Sequence, residues 1–201
     1  MPVSEKPIGR RPTGVDEPIG RRRVAFALLA LSAAALPSSA HARRPAGRPV
    51  TGLRSVSYAQ PPPDFAFDEG LGPERLKALR GKPVVINFWA SYCPPCRDEL
   101  DALTKLRSAY GDGVALLTIT DEAPGNARTF LRARGMNLPV IEDPERKIFS
   151  AYGITPIPVT IVTRPDGTVS FVSNGEVTWD ELHAAVAATL AAPSPSPSAS
   201  P

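Results

Sequence analysis

The chain of 201 residues is long enough for one ordinary domain with appendages, and its formal charge of +3 is concentrated at one end. Six basic and three acidic residues fall within residues 1–42, which leaves 17 of each sign beyond them. So balanced a remainder argues against a nucleic-acid partner, whose binder would carry a basic face on its folded part.

From the N-terminus, Arg21, Arg22 and Arg23 precede the apolar run Val24 to Leu36, followed by Pro37 and the small residues Ser38 to Ala42. A basic region, a short apolar region and Ala40-His41-Ala42 as an A-x-A site predict a secretory signal peptide over 1–42, cleaved near Ala42. The apolar run is shorter than the about 20 residues a membrane span needs. The adjacent arginines raise the twin-arginine export route, although the match is loose. The phrase PIGRR recurs at 7–11 and 18–22, with no physical role that follows from it. Residues 43–62 are rich in Arg, Pro, Gly and Ser without periodicity and read as a linker. The folded unit is expected over 63–192, ahead of a Pro/Ser tail over 193–201.

Within that unit, Pro83 to Ala90 is a short apolar run with β-branched residues, as in a strand buried on both faces. Leu100, Leu103, Leu106 and Tyr110 then recur at helical spacing until Gly111. Val114 to Thr120 reads as a second buried strand. Asn126 to Gly135 reads as a helix, with Ala127, Phe130 and Leu131 inward. A short extended piece at Leu138–Asp143 leads to a short helix ending at Gly153. The segments 158–163 and 169–173 flank Pro165-Asp166-Gly167 and predict an antiparallel hairpin. Thr178 to Glu181 fits a capping box, and behind it Leu182, Ala185, Val186 and Leu190 form one apolar stripe. Strand–helix–strand crossovers, a hairpin and a closing helix imply an α/β domain with a mixed sheet between helices.

Cys93 and Cys96 are the two cysteines of the chain. A zinc site needs about four ligands, and His183 is the one histidine beyond the leader, so no metal is expected. The pair closes too small a loop to staple a domain. Redox chemistry fits the position: Cys93 follows a buried strand and opens a helix, where free backbone N–H groups favour thiolate. Pro94 and Pro95 suit a first helical turn. Cys93 is therefore the expected nucleophile, and Cys96, one turn on, the resolving thiol.

The stretches NFWASYCPPCRDEL and YGITPIPVTIVTRPDGTV, in that order, resemble the thioredoxin fold and within it the TlpA/ResA-type exported thiol–disulfide oxidoreductases. The resemblance runs from Pro63 to the last helix and implies a central mixed sheet flanked by helices in a single domain. It places a cis-proline beside the dithiol, here Pro158 after Ile157, where backbone could pair with an extended client segment; a strand-initiating proline is the plain alternative. Glu99 matches an acidic residue that the family uses for proton management near the buried thiol, against the simpler reading of a solvated residue in a charged patch. Asn87 stands where cytoplasmic thioredoxins carry a buried Asp. Tyr92 replaces the usual Trp, and Asp101 a helix-kinking proline, which predicts a straighter active-site helix. Trp89 and Phe88 are expected to pack in the core or site wall, Trp179 at the helix cap, and His183 to be a plain helical residue.

With proline at both sites between the cysteines, no electropositive side chain stabilises the thiolate, which favours a reductant. The resemblance implies client proteins with cysteine pairs, such as apocytochrome c, and a membrane thiol-reductant conduit as electron donor, with no cofactor. A dithiol oxidase or isomerase, and a non-enzymatic thioredoxin-fold module that binds a metal or a partner, are the alternatives.

Overall fold

The computed structural model describes residues 49–50, 52–68 and 73–191. The expected signal peptide over 1–42, the first residues of the linker and the Pro/Ser tail lie outside the described residues.

Five strands form the central sheet. β5 (Val84–Phe88) and β6 (Ala115–Thr120) pair in parallel, and β7 (Ile141–Glu142) extends them in parallel. β8 (Val159–Thr163) joins the other side of β5 antiparallel, and β9 (Val169–Asn174) follows it by the expected hairpin. The order is β7-β6-β5-β8-β9. All residues of β5 and β8 are buried, as their unbroken apolar and β-branched runs require for central strands covered on both faces.

Alternation along these strands divides the interior in two. Val85, Leu116 and Val162 point into one layer with α2 (Leu100–Tyr110), α3 (Asn126–Ala133) and α5 (Trp179–Ala191), which bury Leu103, Leu131 and Leu182 there. Ile86, Phe88, Leu117 and Ile161 point into the other, against Phe149 and Tyr152 of α4 (Lys147–Tyr152). Phe88 meets Phe149 edge-on at 5.1 Å. Burying such a ring stabilises the fold by about 3 kcal/mol.

The register fixes where chemistry can sit. Phe88 pairs with Val159 and Val84 with Thr163, so β5 ends where β8 begins. The cysteine pair after β5 and the proline before β8 therefore emerge at one edge of the sheet. The other edge lies roughly 13 Å away, four strand residues on.

Several expectations need correction. The linker reading of 43–62 fails over its second half, and the ordered domain begins before 63. β1 (Pro49–Val50) and β2 (Leu53–Ser57) pair antiparallel, and Leu53 and Val56 are buried in the second core. Gln60 and Val169 are joined through a backbone hydrogen bond of 2.9 Å. The apolar residues here neither alternate nor follow helical spacing, so the pattern concealed a strand. A second small hairpin, β3 (Ala66–Asp68) with β4 (Pro73–Arg75), was also not anticipated.

Phe130 packs against the first core beside Trp89, as expected, but is only half-buried and has Arg134 over its ring. Leu190 is 50 % exposed, and Thr189 takes the inward position, its hydroxyl donating to the Val186 carbonyl. The capping box stands: Thr178 Oγ1 accepts from the Glu181 N–H, while the Thr178 N–H donates to Glu181. The active-site helix is not continuous, despite Asp101 in place of proline. It is interrupted at Glu99, between α1 (Pro94–Asp98) and α2.

Candidate active site

The last residues of β5 carry the chain into a turn that ends at Cys93, the N-cap of α1. Pro94 opens the helix, where a missing N–H costs nothing. Cys93 and Cys96 are joined as a disulfide, with Cα atoms 5.3 Å apart. The Cys96 N–H donates to Cys93 Sγ at 3.3 Å, the contact that would favour a thiolate there. Cys93 keeps 7 % of its surface exposed and Cys96 none, so a client disulfide can reach only the first sulfur.

The distant proline arrives as the strand register demands. The Ile157-Pro158 bond is cis, and the Ile157 carbonyl oxygen lies 3.8 Å from Cys93 Sγ. Ile157 is half-buried, while Thr155 and Pro156 before it are exposed.

Beneath the pair, Glu99 is 1 % exposed and so is not the solvated residue of a charged patch. Its Oε1 accepts from Asn87 Nδ2 at 2.7 Å, and its Oε2 from the Val177 N–H at 3.1 Å. The same Asn87 amide donates to Thr160 Oγ1 at 2.9 Å. Burial pushes the Glu99 carboxyl up to about 7, against the lowering effect of its two hydrogen bonds and with a small further rise from the charge of Glu176. A carboxyl with that affinity, three residues beyond Cys96, can hold or release a proton near neutral pH.

Two acidic residues escaped the sequence reading. Buried Glu122 accepts from the Ser91 N–H at 2.6 Å and from the Ser91 hydroxyl at 2.7 Å. Asp121 accepts from the Tyr92 hydroxyl at 2.9 Å and pairs with Arg146, whose other nitrogen donates to the Ile154 carbonyl. Consecutive acids thus hold the two residues that precede Cys93. Their signal was available: both lie at the carboxyl end of a parallel strand next to β5, where α/β sheets place their sites. The Tyr92 ring remains 65 % exposed.

Trp89 and Phe88 are fully buried in the two cores, as expected. Trp179 stacks on His183, which also meets the Tyr110 hydroxyl at 2.8 Å. Among the described residues, no three His, Cys, Asp or Glu side chains group as a metal site would require.

Residues 59–172 match the model of the AhpC/TSA family. The chain belongs to that family. It is 30 % identical over 135 residues to the thiol-disulfide oxidoreductase ResA of Bacillus subtilis, covering 66 % of this chain and 75 % of that protein. Among solved structures, a thiol:disulfide interchange protein of the thioredoxin family from Chlorobium tepidum superposes with a TM-score of 0.57 at 27 % identity, over 67 % of this chain and 98 % of the other. A secreted disulfide oxidoreductase of Mycobacterium tuberculosis, homologous to E. coli DsbE, gives 0.54 at 29 % identity, over 62 % and 95 %. The five-stranded mixed sheet between helices is that thioredoxin fold. The chain is a thiol–disulfide oxidoreductase of the ResA and DsbE type, with Cys93 and Cys96 as its CxxC pair.

Proposed function

We propose that this protein is exported and reduces disulfides of client proteins, with Cys93 as nucleophile, Cys96 as resolving thiol and Glu99 as proton acceptor. The Cys93 thiolate attacks one client sulfur; a mixed disulfide forms and the second client sulfur leaves as thiolate. Cys96 then gives its proton to Glu99 and attacks Cys93 Sγ, which releases the client's first sulfur. Two electrons pass to the client, and the protein is left as the disulfide. The observation that carries this order is the asymmetry of exposure, with the Cys93 sulfur reachable and Cys96 closed to solvent.

The A-x-A leader supports export, as does the likeness to a secreted mycobacterial disulfide oxidoreductase. No helix among the described residues is long and apolar enough to cross a membrane. Outside the cytoplasm the dithiol needs recharging, and a membrane thiol-reductant conduit is the donor we assign to it. Apocytochrome c, whose haem-site cysteines must be reduced, is a client that fits. Ile157 and Pro158 supply the backbone against which an extended client segment lies.

The Pro94-Pro95 pair sets the direction, since it gives the Cys93 thiolate no side-chain donor. Equilibration with glutathione buffers, read by intact mass, tests it. A reductase has a potential below about −180 mV, the isomerase value; one near −120 mV, the oxidase range, would overturn the reading.

A further inference from the structure

Arg146 stands where two local preferences go against it. It occupies the N-cap of α4, a position that favours Ser, Thr, Asp, Asn or Gly, and its side chain caps nothing there. The free N–H groups of that helix are taken instead by the Asp143 carboxylate, which accepts from Lys147, Ile148 and Phe149 at 2.8, 2.8 and 2.9 Å. Its φ of 55° also lies in the left-handed region, where a residue with a Cβ is strained. Strain of this kind persists where the surroundings fix it, and it gathers at functional sites.

The guanidinium is held by three partners. One nitrogen pairs with Asp121, another donates to the Ile154 carbonyl at 3.2 Å, and the central carbon lies 4.7 Å from the centroid of the Phe149 ring. Both polar partners lead to the dithiol. Asp121, whose side chain is 7 % exposed, follows β6 and accepts from the hydroxyl of Tyr92, the residue before Cys93. Ile154 opens the segment that runs to Ile157, whose carbonyl oxygen is the one 3.8 Å from Cys93 Sγ.

We infer that Arg146 is a positioning residue that ties the Tyr92 ring to the segment Thr155–Ile157, so that a client meets a preformed surface beside Cys93. The inference rests on the reading that client segments lie against Ile157 and Pro158. A rigid planar fork serves a carboxylate and a carbonyl at once, which an ammonium on a flexible stem does less well. Without it, the exposed Tyr92 ring and the exposed Thr155 and Pro156 must be ordered by each client as it binds. Affinity falls by that ordering cost.

Arg146→Gly separates this role from a structural one, because glycine relieves the left-handed backbone as it removes the guanidinium. The reduced full chain is mixed with excess disulfide-bonded peptide, and the reaction is followed against peptide concentration by acid quench and mass spectrometry. The inference predicts a half-saturating concentration about fivefold higher, as when one freed side chain must be ordered on binding. The limiting rate changes less, and the thermal midpoint stays close to wild type. Arg146→Lys, which keeps the charge and loses the fork, raises the half-saturating concentration too. Tyr92→Phe adds less in Arg146→Gly than in the wild type, since both act through Asp121. An unchanged half-saturating concentration in both Arg146 variants, or full additivity with Tyr92→Phe, would overturn the inference and leave the client reading intact. A wild type that shows no saturation with the peptide would overturn the client seating and the inference with it.

Discussion

Asn87 donates a 2.7 Å hydrogen bond to Glu99 with both side chains closed to water, one from the central strand and the other from the break in the active-site helix. The bond links the buried half of the dithiol site to the middle of the sheet. Because burial outweighs it, Glu99 titrates near neutrality, at about 7.

Glu99→Gln is expected to slow the attack of Cys96 on a Cys93–glutathione mixed disulfide by about 10²-fold at pH 7, the low end for general base catalysis. In the wild type that rate rises as pH passes through about 7, since only the carboxylate accepts a proton. The variant loses this inflection. Stability carries the same signature with opposite sense. A carboxyl whose folded pKa exceeds its unfolded one destabilises the fold as pH climbs from about 4.5 past 7. The oxidised wild type therefore loses on the order of 3 kcal/mol over that window, and Glu99→Gln does not. Urea denaturation at pH 5 and pH 8 measures both.

Asn87→Ala removes a hydrogen bond that holds the Glu99 carboxyl down, so the inflection in the resolving rate moves to higher pH. It also strips Thr160 Oγ1 of its donor in a fully buried place. The expected loss is about 1–3 kcal/mol. Stopped-flow pH profiles and denaturation midpoints report the two effects separately.

Tyr92→Phe keeps the exposed ring beside Cys93 but frees it from Asp121. Clients that rest on that ring then meet a surface no longer fixed, so KM rises while kcat stays close to wild type, and the lost hydrogen bond costs at most about 1 kcal/mol of stability. Steady-state reduction of a disulfide peptide separates KM from kcat.

Leu53 and Val56 sit in the second core, ahead of the family-matched span. Leu53→Ala is expected to cost about 2–4 kcal/mol, as for other truncations in a packed interior. A chain that begins at residue 63 loses both side chains and the backbone link between Gln60 and Val169. Its thermal midpoint should fall well below that of a chain that begins at 43.

What was legible in the sequence was whatever local chemistry dictates. Short runs rich in apolar and β-branched residues specified β5, β6 and β8, helical spacing specified α2, and Thr178 with Glu181 marked the start of α5. The cysteine pair was legible because it follows a buried strand and opens a helix, and the position of Pro158 beside it came from the resemblance to a known family. What escaped depends on long-range packing. Leu53 and Val56 carry no period and become core only because the strands behind them leave space. Asp121 and Glu122 look like ordinary loop acids until Ser91 and Tyr92 are brought across from a neighbouring strand. The fate of Leu190 turned on one residue of helical phase. Glu99 needed the fold as well: its sequence neighbours are charged, yet its own carboxyl faces Asn87 and Val177.

The most direct test of the central claim is the site of the trapped intermediate. The full chain carrying Cys96→Ser is mixed with a disulfide-bonded peptide, and the adduct is mapped by mass spectrometry, beside the reciprocal Cys93→Ser. The account predicts a stable mixed disulfide on Cys93 in the first variant and none in the second, since Cys96 is sealed from solvent. An adduct on Cys96 in the second variant, formed as fast as that on Cys93 in the first, would contradict it.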